Sequence, residues 1–156
     1  MGYLGRTTSS GALVPWQACM LTRSTTLSIP SDGTNWTSVP FDVETRDLDG
    51  WHSTASNTDR ITPVGFQGTM PFYVSAYVGW ANNSTGIRRA RIMKNGGTFV
   101  VQEVVAANVL ASAPLNPSDF VLLAPGDYVT LEVLQDSGGA LNLGATTTFA
   151  LAPLPS

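Results

Sequence analysis

His52 is the chain's one histidine, and any hydrolase triad would need it as the base. Its setting, Gly50-Trp51-His52-Ser53, carries no nucleophile-elbow motif, so the expected role is structural, at the surface or partly packed. Paired carboxylates would suit a glycosidase, and Asp42, Glu44, Asp47 and Asp49 do gather in one stretch. In a chain with 11 acidic residues such a group is unremarkable, and it reads as a solvated loop. Asp47-Leu48-Asp49-Gly50 begins like a calcium loop but lacks the later ligands and the terminal Glu. No Cys or His pair could hold zinc. Cys19 stands alone among apolar neighbours, which suits a small packed hydrophobe and rules out an internal disulfide. The expectation is a protein with no catalytic centre, no metal and no cofactor, one that works by presenting a surface.

Four of the 8 basic residues, Arg88, Arg89, Arg91 and Lys94, fall together in one segment. They could dock an acidic partner, or they could be edge-strand charges that block sheet-to-sheet aggregation. The formal net charge of -3 argues against a nucleic-acid partner, which needs a dense basic face to displace counterions from phosphate. No stretch reaches the ~18 apolar residues that a bilayer span requires, so no membrane partner is expected. The N-terminal Met1-Gly2-Tyr3-Leu4-Gly5-Arg6 lacks the apolar centre of a signal peptide, which points to synthesis in the cytoplasm. Only 12% of residues are charged, about half the ~25% of ordinary soluble domains. A polar but weakly charged surface suits neutral partners or partial coverage in an assembly.

The elements that must carry this surface are strands. Fifteen glycines and 10 prolines interrupt the chain every few residues, and no long stretch shows a helical period. From Pro71 to Trp80 the residues alternate, with Phe72, Val74, Ala76, Val78 and Trp80 on a core face and Tyr73, Ser75, Tyr77 and Gly79 opposite. Tyr128 to Leu134 repeats the pattern, with Val129, Leu131 and Val133 inward and Tyr128, Thr130 and Glu132 outward. Further strands are expected at 15–21, 25–29, 36–41, 87–93, 98–105, 119–122 and 146–151. Asn95-Gly96 and Pro125-Gly126-Asp127 supply turns. Eight to ten short antiparallel strands in one chain of 156 residues make an all-β sandwich or barrel.

The run from Phe120 to Val133, with Pro125-Gly126-Asp127 at its centre, and the later Thr148-Phe149-Ala150-Leu151 resemble the C-terminal half of a C1q/TNF-like jelly roll. Trp36 to Phe41 is similar to that family's early strand, Tyr73 to Val78 to its central one, and Ile87 to Gly96 to its Arg/Lys-Asn-Gly hairpin. The resemblance spans 15–154. No collagen-like Gly-x-y stalk stands ahead of it, so a complement-type role is not expected. The version it looks most like is the one found in tailed-bacteriophage virion proteins. The resemblance implies a homotrimer, with Tyr73, Ser75, Tyr77, Thr130, Glu132 and Thr148 as trimer contacts.

Residues 1–14 read as a separate extended arm ahead of a jelly-roll domain at 15–156. Tyr3, Leu4 and Arg6 are its candidate docking residues. Together these readings lead to an expected place on a virion, as a homotrimeric decoration (cement) protein bound to the major capsid protein of a phage head. The alternative is the receptor-binding tip of a tail fibre, in which loops 82–86 and 136–142 contact a host glycan.

Overall fold

The computed structural model describes residues 18–107 and 114–154. The arm residues Tyr3, Leu4 and Arg6 lie outside them. Among the described residues there are twelve strands: β1 Cys19–Thr22, β2 Leu27–Ile29, β3 Thr37–Ser38, β4 Val43–Asp47, β5 Arg60–Ile61, β6 Met70–Tyr77, β7 Ile87–Lys94, β8 Thr98–Ala106, β9 Ser118–Leu123, β10 Val129–Gln135, β11 Leu141–Leu143 and β12 Thr148–Pro153. Every pairing between them is antiparallel.

Two five-stranded layers face each other. One has the order β4-β1-β12-β6-β9; the other runs β3-β10-β7-β8, with β5 also paired to β10. β11 and β2 form a third, small sheet, with β2 beside β10 and Leu143 bridged to Trp80. From β8 to β10 the chain passes from the second layer to the first and back, and this crossing makes the sandwich a jelly roll. Three of the twelve strands were not anticipated. The two-residue β5 and three-residue β11 are too short to show a period. Residues 42–49 read as a solvated loop because an edge strand needs only one partner and may keep its charges in water. The structure corrects that reading, since Val43–Asp47 pairs along β1.

The core follows from the alternation. Phe72, Val74, Ala76, Val78 and Trp80 are all buried, and so are Val129, Leu131 and Val133. Phe41, between β3 and β4, stacks on Phe149 of β12 at 5.8 Å, while Phe72 takes Trp51 and Phe66 edge-on at 5.9 and 5.3 Å. The Asn95-Gly96 corner closes β7 onto β8 with both residues at positive φ, 53° and 65°.

Cys19 belongs to this core, at 1% exposure. Burial pushes its thiol well above the ordinary cysteine range, and the nearby Asp47 and Glu44 carboxylates add to the effect. A thiolate is the reactive form, so the native protein is expected to resist alkylation by a maleimide until it is unfolded. Stoichiometric labelling of the folded protein, read by mass spectrometry, would contradict this packing.

Candidate interaction surface

The His52 side chain is fully buried. Its Nε2 donates to the Thr58 carbonyl at 3.1 Å, and its Nδ1 lies 3.0 Å from Glu44 Oε1. Both ring nitrogens are therefore engaged in holding the loop after β4. The Asp47 carboxylate accepts the Trp51 and His52 backbone N–H groups at 2.8 and 2.9 Å, which turns both its oxygens inward to close that same loop.

The basic segment is taken up internally as well. β7 is an interior strand between β10 and β8, not an edge, so its charges do not guard an edge. Arg88 is 2% exposed and donates to the carbonyls of Thr85, Ile87 and Asn83, with its guanidinium above the Trp80 ring. Burial pulls its pKa below the usual arginine range, an effect that Asp136 opposes. Arg91 reaches Glu132 Oε2 through Nε and Nη2 at 2.7 and 2.6 Å and lies 4.1 Å over Trp36. Lys94 pairs with Asp127 at 2.7 Å and donates to the Leu122 carbonyl. Arg89 remains, with its Nε buried and without a partner. Proximity in sequence suggested one docking surface; alternation along β7 instead sends Arg88 into the core and Arg91 to the opposite side.

The six expected trimer contacts divide between the two layers. Tyr73, Ser75 and Tyr77 on β6 and Thr148 on β12 share the outward face of the β4-β1-β12-β6-β9 layer. Thr130 and Glu132 lie on β10, at the centre of the other layer. Thr130 is buried, and Glu132 is committed to Arg91. Alternation gives the side of a strand but not the sheet that the strand joins, and this is why the two were placed with β6.

Registry builds the first face row by row. Thr22, Thr148 and Tyr77 lie side by side; Met20, Ala150, Ser75 and Ser118 form the next row, Ala152, Tyr73 and Phe120 the third, and Pro71 and Leu122 the last. None of these residues, from β1 to β9, is charged; at the β4 edge Arg46 stands beside Met20. Phe120 and Leu122 are 63% and 61% exposed, Tyr73 is 40%, and the Tyr73 and Phe120 rings meet at 5.5 Å. Beside β9, at the side of the sandwich, runs β8, where Glu103 accepts the Asn116 backbone N–H. There β8 exposes Phe99 and Val104. Phe120 and Leu122 were missed in the sequence, although a signal was present. Phe120-Val121-Leu122-Leu123 is apolar without a break, and such a strand is covered on both faces.

Comparison of this architecture with solved structures gives consistent neighbours. Murine APRIL at pH 5.0 superposes with a TM-score of 0.64 at 12% identity, covering 90% of this chain and 100% of that one. The Eiger TNF of S. frugiperda gives 0.55 at 14% identity, over 92% and 95% of the two chains. The fold is a TNF/C1q-like jelly roll. The globular domain of zebrafish complement 1qA matches at 0.52 with 16% identity, over 86% and 94%. No family model matches the sequence, and no curated protein matches it either. The jelly roll is thus shared in three dimensions at a sequence identity of 12% to 16%.

Three carboxylates fix the loops of this jelly roll. Asp127 is lowered from the ordinary 3.8 to about 2 by its hydrogen bond from Lys94, with help from the Ala124 N–H and Asn95. Hydrogen bonds from Ser24 lower Asp42, and those from Thr34 and Asn35 hold Asp32 well below the usual range. All three folded values are depressed, so their stabilisation is complete above the unfolded aspartate value and is lost as pH falls toward the folded ones. The melting temperature is therefore expected to drop between about pH 4 and pH 2, and only modestly, since these groups are solvent-screened. Calorimetry across that range checks it; a flat profile would mean the carboxylates are not held as described.

Proposed function

We propose that this chain is a homotrimeric, non-catalytic surface protein of a virus particle, a phage head decoration protein, whose subunits join through the outward face of the β4-β1-β12-β6-β9 layer. The observation that carries the assembly is that face, uncharged from β1 to β9 and rich in exposed aromatic and aliphatic side chains. Exposed apolar side chains also stand on β8, the edge strand of the other layer. A surface of that shape suits contact between the edge of one subunit and the face of the next, and head-to-tail contacts of this kind close into rings. The resemblance to C1q/TNF-like domains supports a ring of three. The place on a phage head rests on the likeness to virion versions of the domain and on the low charge. The arm at 1–14 is assigned to the shell contact.

Sedimentation equilibrium of the purified protein, followed by mixing with empty shells, tests both levels. A trimer that pellets with shells, and a variant lacking residues 1–14 that remains trimeric but stays in the supernatant, are the expected results. A trimer that ignores shells and binds host cells would overturn the decoration role in favour of a fibre tip. A monomer would overturn the assembly itself.

A further inference from the structure

The Asn95-Gly96 pair does more than shape a turn, because it is also the sequence's one Asn-Gly dipeptide. Asn-Gly is the sequence most prone to spontaneous deamidation, since glycine leaves its own backbone nitrogen unshielded. In that reaction the Gly96 nitrogen gives up its proton to hydroxide and bonds to Asn95 Cγ. The Cγ–Nδ2 bond breaks, ammonia leaves, and water opens the succinimide ring to aspartate or isoaspartate.

We propose that Asn95 is a deamidation site of this chain, and that the Lys94–Asp127 pair is a clamp that holds the reaction back. Both ends of the Asn95 carboxamide are engaged. Its Nδ2 donates to Asp127 Oδ1 at 2.7 Å, and its Oδ1 accepts the Tyr128 N–H at 2.9 Å. The Asn95 backbone N–H donates to the Tyr128 carbonyl at 3.0 Å, so the whole residue is tied to the start of β10. Asp127 is fixed in turn by Lys94 at 2.7 Å and by the Ala124 N–H at 2.8 Å. To cyclise, Asn95 must swing Cγ toward the Gly96 nitrogen and surrender both side-chain bonds, one of them to a charged acceptor. The product also fits badly. A carboxylate in place of the amide would face Asp127 without a proton to share, breaking the tie between the β7–β8 hairpin and the β9–β10 turn.

Peptide mapping by mass spectrometry during incubation in mildly alkaline buffer follows the mass gain of roughly one dalton at Asn95. The native protein is expected to deamidate slowly. Asp127→Ala, checked for native fold by circular dichroism, should do so about tenfold faster, a change of ~1.4 kcal/mol in the barrier. A folded Asp127→Ala protein with the wild-type rate would overturn the clamp. If that variant does not fold, Lys94→Ala, which frees Asp127 but keeps its carboxylate, takes its place with the same two outcomes. Equal rates for native and urea-unfolded wild-type protein would also overturn it.

Discussion

Tyr73→Asp is expected to yield a folded monomer where the native protein is expected to sediment as the proposed trimer. In the separate subunit Tyr73 points outward and is 40% exposed, between Ala152 and Phe120 in registry, so an aspartate there would be hydrated and would leave the core untouched. In the assembly each carboxylate would be stripped of water among uncharged neighbours, with no cation in its own row, Ala152-Tyr73-Phe120, to pair with it. The effective penalty for burying an unpaired ion is several kcal/mol, and a loss of ~4 kcal/mol per contact weakens association by about a thousandfold. Tyr73→Phe, which keeps the ring, should leave the trimer intact. Sedimentation equilibrium with circular dichroism separates the outcomes. A trimeric Tyr73→Asp protein at wild-type concentration would remove this face from the interface, and loss of the native spectrum would show that Tyr73 supports the fold instead.

How far the sequence discloses this surface depends on the kind of information each part needs. The inward set of β6 is legible because alternation is local: Phe72, Val74, Ala76 and Val78 are all buried as the period requires. The Asn95-Gly96 corner is legible for the same reason. What local pattern cannot supply is the choice of layer. Thr130 and Tyr73 have the same position in their alternations, yet β10 pairs with β7 and β6 pairs with β12 and β9, pairings set by long-range packing. Side-chain pairing is hidden likewise. Arg91 appears as one of a basic group, while the partner that neutralises it, Glu132, is distant in sequence and adjacent only through the β7–β10 registry. A group of like charges in one segment is therefore weak grounds for a docking surface until the strand beside it is known.

Gly86→Ala is expected to destabilise the subunit by roughly 2–5 kcal/mol, adding a left-handed backbone penalty to overpacking. Gly86 has φ of 73°, and a Cβ there would stand 2.2 Å from Asp136 Oδ1, 2.5 Å from the Asp136 carbonyl oxygen and 2.8 Å from its carbonyl carbon. A side-chain oxygen can move aside, but backbone atoms at that range cannot without shifting a strand end. The neighbouring bonds oppose such a shift, since Asp136 Oδ1 accepts the Ile87 N–H at 2.5 Å and the Gly86 carbonyl accepts the Ala107 N–H at 2.9 Å. Asp136→Ala introduced alongside Gly86→Ala should therefore recover only part of the loss, because the carbonyl clash remains. Urea unfolding in the Tyr73→Asp background gives the cleanest reading, as subunit dissociation then adds nothing to the apparent stability. A cost below ~0.5 kcal/mol, the range of ordinary surface changes, would mean that the β6–β7 connection yields freely at Asp136. The expected large cost would instead show that this connection is held as rigidly as the strands it joins, and any partner that meets it would bind a preformed surface.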